Sequence, residues 1–268
     1  MRAMATSEPD DLDQFDHADE AFLVDMTNRT PGGRVVRQDG LLLAIGADPS
    51  PVIVNTIMTI AERVELPAVE RAAEVFRDAG HGFTVWTRDR LDAELEGDLA
   101  SVGYGTMLTL PGMVIDQPLP DQGPPAGVSV HRVETDADRM SWVIANLTGF
   151  SSDDDDRGAV RSAFSTLDSL VGGPIAGFLA EADGRPVGAS MVFVDEATGI
   201  GVVGWVGTVP EYRRRGIGDA VTRAATNAGF GLGARKLSLQ ASPMGLPLYE
   251  KLGYRTITGY KIWFRPGP

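Results

Sequence analysis

Gly201-Val-Val-Gly-Trp-Val-Gly-Thr-Val209, Pro210-Glu-Tyr-Arg-Arg-Arg-Gly-Ile-Gly-Asp219 and Ala220-Val-Thr-Arg-Ala-Ala-Thr-Asn-Ala-Gly-Phe230 form one continuous stretch. The first piece is β-branched, glycine-studded and of strand length. Pro210 ends it. After Gly216 and Gly218, small apolar residues fall at Ala220, Val221, Ala224, Ala225 and Ala228, one face of an amphipathic helix. The unit is strand, Arg/Gly-rich turn, helix. A helix start leaves backbone N–H groups unpaired and carries the positive end of the dipole, so it favours an anion. Glycines let a ligand approach the main chain, and Arg213, Arg214 and Arg215 add positive charge. The stretch reads as a phosphate cradle.

Two common cradles fit badly. No Lys-Ser/Thr follows Gly218, as a nucleotide-triphosphatase loop requires, and Val221 stands where a dinucleotide fold wants its third small residue. The segment Arg213-Arg-Arg-Gly-Ile-Gly218 instead resembles the coenzyme motif Q/R-x-x-G-x-G/A of the GNAT superfamily of N-acetyltransferases, with Thr208–Tyr212 similar to that family's strand exit. The resemblance implies acetyl-CoA as co-substrate. It would be held by Gly207, Thr208, Val209, Arg214, Arg215, Gly216, Ile217, Gly218 and Asp219.

Composition narrows the class. The 268 residues hold no Cys, so disulfides, thiolate metal sites and cysteine nucleophiles are excluded. His17, His81 and His131 lie far apart, and no metal site is expected. Neither a signal peptide nor an apolar run of membrane-spanning length is present, so a cytoplasmic protein without membrane contact is expected. The net charge of −13 sits in one half. Residues 1–127 carry 9 Arg and no Lys against 22 Asp/Glu, whereas residues 128–268 carry 15 of each sign. That argues against nonspecific nucleic-acid binding by the first half, and no nucleic-acid partner is expected. The acidic excess serves solubility, or gathers a cationic acceptor beside an anionic coenzyme.

Residues 1–20 are polar and acidic and read as a flexible start. From 21 to 115, strands are predicted at 34–37, 41–47, 52–58, 83–87 and 104–110, with helices at 66–79 and 91–101. Residues 116–127, with Pro118, Pro120, Pro124 and Pro125, read as a linker. From 128 to 268 the predicted order is β-α-α-β-β-β-α-β-α-β, with strands at 128–133, 175–182, 186–194, 201–209, 236–240 and 254–264. Helices fall at 136–147, 159–170 and 246–252, besides the one that follows Gly216 and Gly218 and is carried by 220–230. This order matches the GNAT fold, so the C-terminal segment is expected to be the catalytic domain.

The halves repeat. Leu99-Ala-Ser-Val-Gly-Tyr-Gly-Thr106 and Tyr249-Glu-Lys-Leu-Gly-Tyr-Arg-Thr256 align at a constant offset, each preceding a strand. Where the second half has its Arg/Gly turn, the first has Ala61-Glu-Arg-Val-Glu-Leu-Pro67, with no glycine and two carboxylates that would repel a pyrophosphate. The expectation is an α/β protein (a mixed, α+β-type sheet) of two tandem GNAT folds. The first fold would be degenerate; tandem arrangements of this kind occur in the superfamily, mycothiol synthases among them.

Tyr249-Glu-Lys-Leu-Gly-Tyr254 also resembles the family's tyrosine-bearing helix. The resemblance makes Tyr249 the catalytic residue, donating a proton or hydrogen bond to the departing thiolate. Packing on the sheet is the plainer reading, but Leu99 at the repeat position cannot donate. Ser242 stands where many relatives have an asparagine that touches the coenzyme. The resemblance further implies direct transfer in a ternary complex, with the pantetheine arm paired to the strand ending at 207–209 beside a bulge at Gly204 and Gly207. No acid or His lies in strand 201–209, so a water chain, Glu181 or a carboxylate of the first half remain open as base. The run Ser151-Ser-Asp-Asp-Asp-Asp156 borders the expected acceptor site or simply caps a helix, and Trp142, Phe150, Trp205 and Trp263 line a pocket or fill the core.

The function expected is transfer of acetyl to a primary amine of a small molecule or peptide, by a monomer or homodimer. Other readings are a different acyl donor, a mycothiol-pathway-like acceptor, or a non-catalytic acyl-CoA sensor.

Overall fold

The computed structural model describes residues 9–51, 54–150 and 154–265, with backbone alone at 9–11 and 154–156. The first half runs α1 (Pro9–Arg29), β1 (Arg34–Gln38), β2 (Leu41–Ile45), β3 (Thr56–Thr59), α2 (Leu66–Asp78), β4 (Thr84–Arg88), α3 (Ala93–Ser101) and β5 (Gly105–Ile115). The second runs β6 (Val128–Arg132), α4 (Asp136–Phe150), α5 (Asp154–Ala163), β7 (Val171–Gly172), β8 (Ile175–Ala182), β9 (Arg185–Asp195) and β10 (Ile200–Thr208). It closes with α6 (Ile217–Gly231), β11 (Lys236–Gln240), α7 (Leu246–Leu252) and β12 (Arg255–Phe264).

One mixed sheet joins the halves in the order β1-β2-β3-β4-β12-β5-β11-β10-β9-β8-β6, with β7 beside β8. Helices cover both faces, and the strand sequences show it. In β2, Leu42 and Ala44 pack on the α1/α4 side while Leu41, Leu43 and Ile45 pack on the α2 side, so all five residues are buried. The hairpins β1–β2 and β8–β9 turn on Asp39-Gly40 and Asp183-Gly184, all four residues with positive φ, as type I′ turns require.

The last strand of each half sits with the other half. Strand β5 pairs with β11, and β12 pairs with β4, while β5 and β12 pair with each other; all three ladders are antiparallel. Strand β5 was expected to stop at Leu110 but runs to Ile115, because its second part supplies an edge for β11. The ends of α3 and α7 repeat each other. Gly103 and Gly253 have φ of 92° and 98°, and the N–H of Tyr104 and of Tyr254 donates to the carbonyl of Leu99 and of Tyr249. Leu99 and Tyr249 are thus equivalent in backbone geometry as well as in sequence.

The polar start differs from its reading as a flexible segment. It forms α1 from Pro9, and Leu12, Phe15, Ala18, Phe22, Leu23 and Met26 recur at helical spacing on one buried face. The acidic residues between them are paired: Asp16 with Arg88 and Arg90, Asp13 with Arg90, and Glu20 with Arg37. Burial of that apolar face outweighs the local charge. The Pro-rich connection is also anchored. Leu119 is buried and exchanges two hydrogen bonds with the Asn227 side chain, and Arg223 donates to the Pro120 carbonyl. Helix α5 starts five residues before its predicted start and ends at Ala163, followed by a 3₁₀ turn at Leu167–Ser169. Among the described residues no helix is long and apolar enough to cross a membrane.

Candidate functional site

Strands β10 and β11 run parallel and pair only over Ile200–Val202 with Lys236–Ser238. Beyond that each keeps its outer neighbour: β10 follows β9 to Thr208, and β11 follows β5 to Gln240. The two strands therefore part, leaving a wedge open along the second half of β10. At its apex β10 bulges between Gly204 and Gly207, with Trp205 at φ 55°. The Val209 N–H is taken by the Val187 carbonyl on the β9 side.

Past β10, Pro210–Tyr212 makes a 3₁₀ turn, and Gly216, at φ 83°, forms the N-cap of α6. The first helical bond closes from the Ala220 N–H to the Gly216 carbonyl, so the N–H groups of Ile217, Gly218 and Asp219 have no carbonyl partner within the helix. Arg214 and Arg215 are exposed beside them, and the Arg215 guanidinium lies 5.0 Å from the Tyr212 ring centre. Arg213 behaves differently. It reaches inward, donating to the Thr208 and Gly149 carbonyls, and so braces the strand exit against the end of α4. The Asp219 carboxylate is held by Arg223 and Lys251, so only its N–H is left to meet an anion.

Three expected elements meet at Gly218. A Cβ built there would lie 3.3 Å from Leu248 Cδ2 of α7 and 3.5 Å from Thr208 Oγ1 of β10. One residue after Leu248, Tyr249 is buried, and burial pushes its phenol up to about 12. A thiol loses its proton near ~8.5, so this phenol keeps its own at any pH where a thiol would ionise and can offer it as a hydrogen-bond donor. Tyr254 packs edge-on against Tyr249 at 6.0 Å and bonds to Thr226.

On the opposite face, Trp205 meets Trp142, Phe150 and Phe164. Trp142 is fully buried and donates to the Ser190 carbonyl, whereas Phe150 is 56% exposed over Gly207. Trp263 belongs elsewhere, in the first half's core with a bond to Thr87. Asn146 Oδ1, buried and without a hydrogen-bond partner, also faces Gly207. Glu181 pairs across to Pro186 at the hairpin end of β8, two strands from β10, and is not at the wedge. Of the acidic run, residues 151–153 lie outside the described residues, and Asp154 begins α5. Among the described residues, no group of three or more His, Asp or Glu is placed to hold a metal ion.

The first half has the same parallel pair, β3 with β4, but its wedge is filled. Arg88, at the end of β4, donates to the Ala61 carbonyl beyond β3 and pairs with Asp92, which accepts from Thr59. Both Arg88 and Asp92 are buried. Helix α2 then starts at an N-cap Glu65, whose carboxylate would oppose an anion. The missing glycines are visible in the sequence, whereas the plug leaves only the i,i+4 spacing of Arg88 and Asp92 as its trace.

Residues 174–256 match the acetyltransferase (GNAT) domain family. A mycothiol acetyltransferase of Paenarthrobacter aurescens (strain TC1) is 30% identical over 186 residues; the match covers 65% of this chain and 57% of that relative, a little over half its length. In fold, the chain resembles a GCN5-related N-acetyltransferase from Kribbella flavida, with TM-score 0.70, 21% identity and 96% of each chain covered. It also resembles a tandem GNAT protein from the clavulanic acid biosynthesis pathway, with TM-score 0.60, 17% identity and 97% of each chain covered.

Proposed function

We propose that this chain, a member of the GNAT superfamily with a tandem GNAT fold, transfers acetyl from acetyl-CoA to a primary amine of a small molecule or peptide in its C-terminal half. The observation that carries this is the meeting of an open β10/β11 wedge, a glycine-capped helix start and helix α7, whose Leu248 lies against Gly218 and whose next residue is the buried, protonated Tyr249. The N–H groups of residues 217–219, with Arg214 and Arg215, would bind the pyrophosphate. The pantetheine arm would lie along β10 at Gly207–Val209 as an added strand. Main-chain N–H groups facing the wedge would receive the oxyanion that forms when the amine attacks. Tyr249 would steady the sulfur as the C–S bond breaks. The first half would bind no coenzyme, since Arg88 and Asp92 occupy its wedge, and one site per chain is expected.

The test is free-thiol release from acetyl-CoA across amines, polyamines, aminoglycosides and N-terminal peptides. Turnover with one acceptor class, lost in Tyr249→Phe while coenzyme binding persists, supports the proposal. Tight one-to-one binding without turnover on any acceptor replaces it with a sensor role. The mycothiol acetyltransferase relative favours a second acceptor reading, the cysteinyl pseudo-disaccharide of mycothiol synthesis, which belongs in the same panel.

A further inference from the structure

The wedge faces α1 on one side, and α1 carries a buried carboxyl group whose hydrogen bonds with Tyr260 and Gln240 leave one oxygen unmet. Asp19 is 6% exposed, and its Oδ1 has no hydrogen-bond partner. It lines two small cavities between α1 and the sheet, each of about 10 Å³, the space of one water. One is closed by Asp16, Thr59, Arg88 and Tyr260, the other by Gly112, Ser238 and Thr258. Helix α1 crosses the gap between the parted strands. Phe22, one turn after Asp19, comes within 3.3 Å of a Cβ built on Gly204 at the β10 bulge, while Gln240 at the end of β11 bonds toward Asp19. Asp19 is thus held on the face of the sheet where the strands separate. Strand β10 itself has no Asp, Glu or His.

We propose that Asp19, through the water-sized cavities beside it, is the group that takes the proton of the acceptor ammonium in the C-terminal site. This rests on the acetyl-transfer reading above. The Asp19 carboxylate receives one proton from the ammonium, directly or through a bound water, and the nitrogen lone pair is freed. The C–N bond forms and the C–S bond breaks, with its electron pair going to sulfur. The surplus proton on nitrogen ends on sulfur, giving amide and thiol, and Asp19 returns its proton to solvent.

Burial, with the neighbouring Asp16 charge, pushes the Asp19 carboxyl up to about 7, a base poised near neutrality. Tyr260 on β12 and Gln240 on β11 pull the other way. Tyr260 itself stays protonated, since burial raises it well above 10, and donates to Asp16 at 2.9 Å. The other charged groups on this face are Arg88 and Arg90 from the first half, both paired with Asp16, with Asp92 on Arg88, Asp13 on Arg90, and Asp89 on Thr258.

The experiment uses full-length protein, Asp19→Asn and Asp19→Glu, with acetyl-CoA and an acceptor that the wild-type protein turns over. Expected for Asp19→Asn is a fall of about 100-fold in kcat/KM at pH 7, an ascending limb displaced to the pKa of the free amine, unchanged acetyl-CoA binding by calorimetry, and partial rescue in Asp19→Glu. Independently of turnover, infrared difference spectra of wild type against Asp19→Asn should show a protonated carboxyl at pH 6 that is gone by pH 9. An Asp19→Asn profile that overlays the wild type, with wild-type turnover intact, overturns the role of Asp19 alone. No wild-type turnover with any acceptor overturns this inference together with the acetyl-transfer reading. Absence of the titrating carboxyl band overturns the inference whatever the kinetics show.

Discussion

A buried carboxyl raised to about 7 costs the native state stability in a defined pH window, and Asp19→Asn should remove that cost. In the unfolded chain Asp19 loses its proton near 3.8; in the native protein it keeps it to about 7. Below pH 3.8 both states are protonated and Asp19 carries no penalty. As pH rises from there to 7, the unfolded chain ionises while the native protein does not, so stability falls by about 1.4 kcal/mol per pH unit. Above 7 the loss levels off at about 4 kcal/mol, and the part between pH 5 and 8 is about 3 kcal/mol. Asparagine keeps the shape and has no such window. The assay is thermal melting of wild type and Asp19→Asn at pH 5 and pH 8. The difference in Tm should grow in favour of the variant by roughly 5 °C. Any constant cost of the amide cancels in that comparison. A difference that stays the same at both pH values would refute the reasoning, because Asp19 would then titrate as it does in the unfolded chain. A variant that is steadier at pH 8 and slower in turnover would mark Asp19 as a residue kept for function at the expense of stability.

Tyr249→Phe should lower kcat by about 100-fold and leave acetyl-CoA affinity within twofold, measured by thiol release and calorimetry; equal loss of both would make Tyr249 a packing residue. Gly216→Asp should abolish coenzyme binding, since it places a side chain at φ 83° and a negative charge at the helix start. Binding retained at one coenzyme per chain would place the site elsewhere. Arg88→Ala strands the buried Asp92 carboxylate and should cost about 3–5 kcal/mol in denaturant unfolding, with coenzyme stoichiometry unchanged. A second bound coenzyme in that variant would mean the first wedge is latent rather than lost.

Most of the strand–turn–helix unit proposed to hold the coenzyme was legible in the sequence, because its geometry is local. A strand, a glycine turn and a helix that are contiguous in the chain must fold next to one another, so Thr208, Gly216 and Gly218 could be placed together from spacing alone. The hairpins at Asp39-Gly40 and Asp183-Gly184 were legible for the same reason, as positive φ at both turn residues favours these pairs. Helix α1 was misread: its apolar residues keep helical spacing, but eight acidic groups between Glu8 and Asp25 hid them.

The amino-acid pattern was enough for the tandem repeat, the order of elements after α1, and the glycine turn with the tyrosine-bearing helix. Each depends on residues a few positions apart, and local backbone geometry follows from those directly. The tertiary structure alone decided the exchange of β5 and β12 between the halves, the filling of the first wedge by Arg88 and Asp92, and the setting of Asp19 across the parted strands. These join residues up to about 240 positions apart, and a carboxyl group carries no mark in the sequence of whether water will reach it. Burial and strand pairing settle that, and both are properties of the assembled sheet.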